Sequence, residues 1–323
     1  MNSEISKISK VEIESLWNRF DLTWNLHPDV NILSGINGSG KSTILNCIAS
    51  LFTGTMPDNL IGLVQNVKVI FDSRCFSIKP MPIGGVGEPE TKISNRGHRC
   101  AIYIERDNTV YQTLPLKFGF SNKGAKFDII STFDKEILEV GKRPDENVRT
   151  ELDRDIFRLQ KQYLDYQLNI GKRAFEIVTQ NNGHLHEELL KIRKQQDRFL
   201  EIMDNLFKDT DKKINRKNNE ISFLSGDSEI TAYQLSSGEK QMLVILLTVL
   251  VQDNKPAIIF MDEPEISLHF DWQKKLIQYI RELNPNIQII LATHSPAIIM
   301  EGWHDKVANV SDLIVKDSLK SGK

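Results

Sequence analysis

The chain has 323 residues, 40% of them apolar and 26% charged, with a net charge of −2; this is enough apolar sequence for one large core or two modest ones. The near-neutral balance excludes a global attraction to nucleic acid, so any such contact must come from a local patch. Cys47, Cys75 and Cys100 are few and unpatterned, which excludes a disulfide framework or thiolate metal site and suits a reducing cytoplasm.

Met1-Asn2-Ser3-Glu4 is polar and lacks a signal-peptide core. The longest apolar run, from Met242 to Val251, falls well short of the ~20 residues needed to span a bilayer. A cytoplasmic chain without membrane contact is expected.

In chain order, Val30-Asn31-Ile32-Leu33 reads as a short buried strand, and Ile44-Leu45-Asn46-Cys47-Ile48-Ala49 carries apolar positions at helical spacing. Between them Gly35-Ile36-Asn37-Gly38-Ser39-Gly40-Lys41-Ser42-Thr43 fits G-x-x-x-x-G-K-[ST] without a mismatch. A strand, a glycine loop and a helix N-terminus together make a phosphate cradle. Glycines let the backbone turn its N–H groups inward, Lys41 reaches the β- and γ-phosphates, and the Ser42 hydroxyl can ligate Mg²⁺. Gly35, Asn37, Gly38, Ser39, Gly40, Lys41, Ser42 and Thr43 are thus the expected ATP-binding set. The plain alternative, a chance glycine-rich turn, becomes negligible once three downstream motifs are counted.

From about 56 to 135 the pattern is strand-like: Val67–Phe71, Cys100–Ile104, Thr109–Gln112 and Phe127–Ile130, with Asp107-Asn108 as a hairpin turn. Lys79 to His98 is rich in Pro and Gly and reads as a long loop. From about 148 to 208 the chain reads helical. Ile156, Leu159, Tyr163, Tyr166 and Ile170 recur at helical spacing, as do Leu185, Leu189, Ile192, Phe199, Met203 and Leu206. Asn181-Asn182-Gly183 between them is a turn signal. Two antiparallel helices of roughly 25–30 residues would project only ~40 Å, which excludes bridging DNA by long arms. Lys191, Arg193, Lys194 and Arg198, then Lys212 to Lys217, are interleaved with acids. They read either as a solvated face or as a surface for phosphates or a partner.

Gln234-Leu235-Ser236-Ser237-Gly238-Glu239-Lys240-Gln241 opens the next helix. A serine and a glycine at a helix N-terminus offer a hydroxyl and free N–H groups to an anion, but Ser-Ser-Gly-Glu is equally an ordinary N-cap. Ala257–Met261 is an apolar run ending in Asp262-Glu263-Pro264, a buried parallel strand that delivers carboxylates to the sheet's C-terminal edge. There Asp262 would hold Mg²⁺, and Glu263 would orient and deprotonate the attacking water. Neighbouring strand residues point to opposite faces, so the two acids differ in role if the strand runs through both. Ile289–Thr293 is another buried strand, terminated by His294.

The order of phosphate loop, signature, acidic strand and histidine strand resembles ABC-type ATPases. Leu235–Glu239 is similar to the LSGGQ signature, with Ser237 for the first glycine and Glu239 for the glutamine. Glu265-Ile266-Ser267-Leu268-His269, then Trp272-Gln273, and later Ala292-Thr293-His294-Ser295-Pro296, look like the RecF/OLD-type branch of soluble ABC ATPases. That branch includes ATPases of bacterial anti-phage systems such as Septu, PARIS and retron-associated ones. Leu16-Trp17-Asn18-Arg19-Phe20-Asp21 also looks like its first strands.

The resemblance implies an α/β P-loop ABC-ATPase head with an antiparallel β-subdomain and a short helical hairpin. Its expected parts are an N-terminal ATPase lobe (1–135), a helical lobe (136–225) and a C-terminal ATPase lobe (226–323). It implies ATP and Mg²⁺, with Lys41, Glu263 and His294 catalytic and His294 sensing the γ-phosphate. Ser42 and Asp262 would hold the metal with a glutamine. Gln112 is the candidate, although it stands early, and Ser131-Thr132-Phe133-Asp134 at the better position lacks a Gln. Arg19 and Phe20 are the leading adenine contacts.

Ser236, Ser237, Gly238 and Glu239 would complete the site of a second subunit. The expected state is an ATP-sandwich homodimer or a higher assembly of it. The reading that leads is an ATPase sensor or scaffold for a separate effector, a nuclease or toxin, in anti-phage defence. A RecF-like repair ATPase that contacts nucleic acid and a transporter subunit are the rivals. No nuclease activity is expected of the chain itself, because little sequence follows the histidine strand. Asp153-Arg154-Asp155 and Asp209-Thr210-Asp211 lie in helical sequence, where i and i+2 diverge.

Overall fold

The computed structural model describes residues 7–53, 55–71, 74–80, 98–106, 109–113, 126–130, 145–179 and 185–317. β1 (Ile8–Leu16) and β2 (Phe20–Asn25) pair antiparallel, and β3 (Val30–Ser34) runs through the glycine loop into α1 (Lys41–Thr53). Then come β4 (Thr55–Met56), β5 (Asn66–Phe71), β6 (Arg74–Pro80), β7 (His98–Arg106), β8 (Thr109–Thr113) and β9 (Lys126–Ile130). The helical part is α2 (Glu151–Thr179) and α3 (Leu185–Leu206), followed by a small sheet of β10 (Lys212–Ile214), β11 (Ser222–Ser225) and β12 (Ser228–Thr231). Next are α4 (Ser237–Leu250), β13 (Ala257–Asp262), α5 (Phe270–Leu283) and β14 (Ile287–Ala292). The last described elements are α6 (Pro296–Met300), β15 (Val307–Asn309), α7 (Val310–Leu313) and β16 (Ile314–Asp317).

Among the described residues the parallel sheet has the order β15-β3-β14-β13-β9. The antiparallel sheet runs β16-β2-β1-β5-β6-β7-β4, with β8 paired to β7. Strands from the first and last thirds of the chain therefore share both sheets: β3 lies between β15 and β14, and β16 adds to the edge beside β2.

The parallel sheet is the wall between two cores, and the two-residue period of its strands sorts side chains to either face. On β13, Ile258 and Phe260 pack toward α1 and the antiparallel sheet. Ala257, Ile259 and Met261 pack toward the helices. Both faces are covered, which is why this strand reads as an unbroken apolar run. Gln288 of β14, fully buried, ties the two sheets: its Oε1 accepts from Ile8 N at 2.8 Å, and its Nε2 donates to Ile8 O and His27 O, each at 2.8 Å.

Phe127–Ile130, expected in the antiparallel subdomain, belongs instead to the parallel sheet. β9 pairs parallel with β13, from Ala257↔Lys126 to Met261↔Ile130. A four-residue apolar pattern states that a strand exists, while its partner is chosen by contacts more than a hundred residues away. One of these is the bond from Gln252 Nε2 to Asp128 Oδ2 at 2.6 Å. The strands around Val67, Cys100 and Thr109 do form the antiparallel meander. The turns at Asp107-Asn108 and Asn181-Asn182-Gly183 and most of the Lys79–His98 loop lie outside the described residues.

α2 and α3 bury the stripes that their spacing anticipates, Ile156, Leu159, Tyr163, Tyr166 and Ile170 against Phe199, Met203 and Leu206. Packing on α3 begins near Ile192, so Leu185 stays exposed toward the tip. The hairpin's base is locked to α4 by a buried ion pair, Lys240 Nζ to Asp153 Oδ1 at 2.7 Å. Asp153 Oδ2 also accepts from the N–H groups of Arg149 and Thr150, each at 3.0 Å. Four of the basic residues here are engaged by the chain's own acids, while Lys191, Lys194, Lys213 and Lys217 are exposed. Arg193 pairs with Asp197, Arg198 with Glu282 and Glu201, Lys212 with Glu239 and Arg216 with Asp204.

Candidate functional site

In open α/β sheets, ligands bind beyond the carboxyl ends of the strands; here β3, β13 and β14 end beside one another and deliver the motif residues. From β3 the glycine loop folds over the start of α1. Lys41, only 4% exposed, donates from Nζ to Gly35 O at 3.1 Å and Ile36 O at 3.4 Å. It also meets His294 Nε2, from the end of β14. His294 Nε2 lies 3.5 Å from Glu263 Oε1. Ser42 hydrogen-bonds the Asp262 carboxylate. Burial pushes the Asp262 carboxyl up and the Glu263 charge adds to this, while the Ser42 bond pulls it down. The site therefore draws two acids and a cation together, with Lys41 buried and Glu263 and His294 partly open.

The backbone explains how two successive acids serve one site. β13 ends at Asp262, which shares parity with Ile258 and Phe260 and so faces the α1 side. Strict alternation would turn Glu263 away. Instead Glu263 has φ 50°, left-handed for a non-glycine residue, and its N–H donates to Ala292 O at 2.8 Å. The strand is broken at the acid, and the side chain swings back toward His294. Such backbone outliers cluster where geometry serves function.

A cleft of about 420 Å³ opens over this cluster, lined by Asn37, Gly38, Gly40, Lys41, Ser42, Thr43, Glu263, His294 and Trp17. Trp17 is the member that sequence reasoning missed. The β1–β2 turn places Trp17 and Asn18 at φ 54° and 56°, and Asn18 is pinned by its N–H to Ser15 O at 2.8 Å and its Nδ2 to Gly62 O at 2.9 Å. The indole is pressed against Gly40, φ 97°, where any Cβ would overlap the ring. Arg19, by contrast, is held by Asp317 at 2.9 and 3.0 Å and rests 4.3 Å over the Phe20 ring. The aromatic face offered to the cleft is Trp17, not Phe20.

Ser42 and Asp262 put a hydroxyl and a carboxylate side by side. These hard oxygen donors suit Mg²⁺, which takes one or two protein ligands and completes its shell with water and phosphate oxygens. The fit to that ion is good. Gln112 sits on β8, its backbone paired with Tyr103 in the antiparallel sheet; its side chain and Ser131–Asp134 lie outside the described residues.

The signature residues divide. Ser236 and Glu239 form a reciprocal capping box at the start of α4. Glu239, 2% exposed, faces inward, its Oε1 accepting from Lys212 Nζ at 2.7 Å and Thr210 Oγ1 at 2.9 Å. Burial alone would raise this carboxyl, but the Lys212 ammonium and the Ser236 donors outweigh it and hold it below the usual range. Glu239 is thus a strut within its own chain and is not presented to a neighbour. Ser236 and Ser237 are exposed. Gly238 is required because Ser267 O lies where its Cβ would be.

The family model described as AAA domain, putative AbiEii toxin, Type IV TA system matches residues 30–301, which contain the glycine loop, the signature, both acids and His294. The chain belongs to this family. It is similar to Septu protein PtuA of Bacillus thuringiensis, 26% identical over 318 residues that cover 90% of this chain and 72% of that protein. It is also similar to the Retron Vc95 probable ATPase of Vibrio cholerae, 25% identical over 248 residues. That match covers 68% of this chain and spans 47%, about half, of the retron protein.

Among solved structures, the SMC head domain from Thermotoga maritima aligns with a TM-score of 0.51 at 14% identity, covering 94% of both chains. An Smc head domain with an extended coiled coil derived from Pyrococcus furiosus aligns at 0.55 and 13% identity, covering 98% of this chain and 97% of that one. At such identities the likeness carries the fold alone: this AAA-family chain is an α/β P-loop ATPase head. No helix among its described residues is long and apolar enough to cross a membrane.

Proposed function

We propose that this chain binds and hydrolyses ATP between two copies of itself, and that the ATP-bound state controls a separate effector in anti-phage defence. The convergence of Lys41, Ser42, Asp262, Glu263 and His294 at one sheet edge carries the reading. In the ATP complex Lys41 exchanges the Gly35 and Ile36 carbonyls for the β- and γ-phosphate oxygens, and the loop N–H groups hold the rest of the triphosphate. Trp17 offers its face to the base. Glu263 orients a water and takes its proton as the oxygen attacks the γ-phosphorus; the bond to the bridging oxygen breaks and ADP leaves. His294 contacts the transferred group. Ser42 and Asp262 would hold Mg²⁺, which would supply charge neutralisation on the phosphates.

The exposed Ser236 and Ser237 at the N-terminus of α4 support a role on a second copy's phosphates. Mixing variants tests this. Lys41→Ala and Ser236→Arg should each be inactive alone, yet their mixture should recover hydrolysis at the one hybrid site that keeps both residues. A mixture as inactive as its parents contradicts shared sites.

The relatives named as a Septu protein and a retron ATPase support the defence reading. The repair reading draws little support from the hairpin, where Arg193 and Arg198 pair with the chain's own acids and only Lys191 and Lys194 of the cluster are left exposed and outside these pairs. Asp153 is committed to Lys240 and the start of α2. We therefore assign any nucleic-acid cleavage to a separate polypeptide. Incubation of the purified chain with plasmid, single-stranded DNA and tRNA in Mg²⁺ or Mn²⁺ should leave them intact; cleavage that survives repurification refutes this.

A further inference from the structure

Glu265 makes contacts that the proposed hydrolysis does not use. Its Oε1 accepts from Thr293 Oγ1 at 2.6 Å, His294 N at 2.8 Å and Ser295 N at 3.1 Å. One carboxylate oxygen thus collects three successive donors where β14 ends. Its Oε2 is buried without a hydrogen-bond partner among the described residues. The same segment is bound a second time: Ser295 Oγ donates to Gln273 Oε1 at 2.7 Å, and Gln273 Nε2 donates to Leu268 O at 2.9 Å. Both links run between the His294 turn and the loop 263–269 that follows the acids. That loop is internally tied by Ile266 N to Glu263 O at 3.1 Å and Leu268 N to Glu265 O at 3.0 Å.

We infer that Glu265 is a positioning residue that fastens the His294 backbone to the acid loop, so that the imidazole stands beside Lys41 and Glu263. The inference rests on the ATPase reading above. With its main chain held by a charged acceptor, His294 can respond to the phosphate only by rotating its side chain, and its Nε2 stays on the line between the lysine and the acid. The loop also lays Ser267 O, from a residue at φ 70°, against Gly238 of the signature. A displacement of this loop, as when the Glu265 link is lost, would therefore be felt at the signature as well as at His294.

The full chain tests this with Glu265→Ala and Glu265→Gln. Glutamine keeps an Oε1 acceptor for all three donors, whereas alanine removes it. In Glu265→Ala, affinity for a fluorescent ATP analogue and KM should stay near wild type while kcat falls ~100-fold, the cost of about 1 Å of misplacement. Glu265→Gln should stay within roughly tenfold of wild type, since a neutral acceptor makes a weaker bond of the same geometry. The His294 imidazole resonances of the nucleotide-free protein should shift in Glu265→Ala and hold in Glu265→Gln, a readout independent of turnover. Wild-type kcat in Glu265→Ala overturns the inference, as does loss of ATP binding that Glu265→Gln fails to restore. If the wild-type chain itself hydrolyses nothing, the ATPase reading fails, and the His294 resonances still decide the role of Glu265: unmoved resonances in Glu265→Ala overturn it.

Discussion

Replacing Gly238 by alanine sets a helix-forming gain against a clash, and the structure decides which wins. Alanine is favoured over glycine within helices by roughly 0.8–1.0 kcal/mol, and less than that in the first turn, where Gly238 lies. Against this, the new methyl would overlap Ser267 O, well inside the ~3.3 Å that carbon and oxygen tolerate. The atom opposing it is backbone, so no side chain can swing aside. The loop must retreat by roughly an ångström, and forced overpacking of this kind costs about 1–3 kcal/mol. The clash should win, lowering the melting temperature by a few degrees at about 2–4 °C per kcal/mol. Because the same loop carries Glu265 and the His294 contacts, turnover should fall ~100-fold. Scanning calorimetry and a coupled phosphate-release assay measure both. A Gly238→Ala protein that melts higher and hydrolyses at the wild-type rate would refute the packing of Ser267 on the signature.

Trp17→Ala should weaken ATP roughly three- to tenfold, the loss of one aromatic face; fluorescent-nucleotide titration checks it, and unchanged affinity removes Trp17 from the base site. Asp262→Asn should abolish hydrolysis yet stabilise the nucleotide-free protein at neutral pH. The folded carboxyl titrates above its unfolded value, so stability present below about pH 4 is lost as pH rises through the raised value. The melting gap between variant and wild type should therefore open as pH rises and close in acid; a constant gap contradicts this. Lys240→Ala leaves Asp153 buried without its cation and should cost about 3–5 kcal/mol. A Lys240→Ala protein that melts like wild type would show that the pair does not anchor the helical hairpin.

The convergence of the glycine loop, Asp262, Glu263 and His294 was legible because glycine spacing and acid-terminated apolar runs are local signals that place residues at one sheet edge. The helical hairpin was legible from its stripes. What was not legible depended on long-range or backbone facts. Trp17 reaches the cleft through left-handed turn residues with no glycine to announce them. Arg19 is taken by Asp317, near the far end of the chain, which no local pattern foretells. Glu239 stands in a signature-like run, yet its side chain points to Lys212, a partner fixed only by how β10 packs. β9 reads as a strand, but its sheet is set by β13.

The central claim is that ATP is held between two copies of this chain, and the mass of a hydrolysis-deficient variant measures it most directly. Multi-angle light scattering of Glu263→Gln should give the 37.0 kDa monomer without nucleotide and about 74 kDa, twice that mass, with ATP and Mg²⁺. The Lys41→Ala/Glu263→Gln double variant should show no ATP-driven change. A Glu263→Gln protein that binds ATP yet keeps the same mass with and without it would contradict the account.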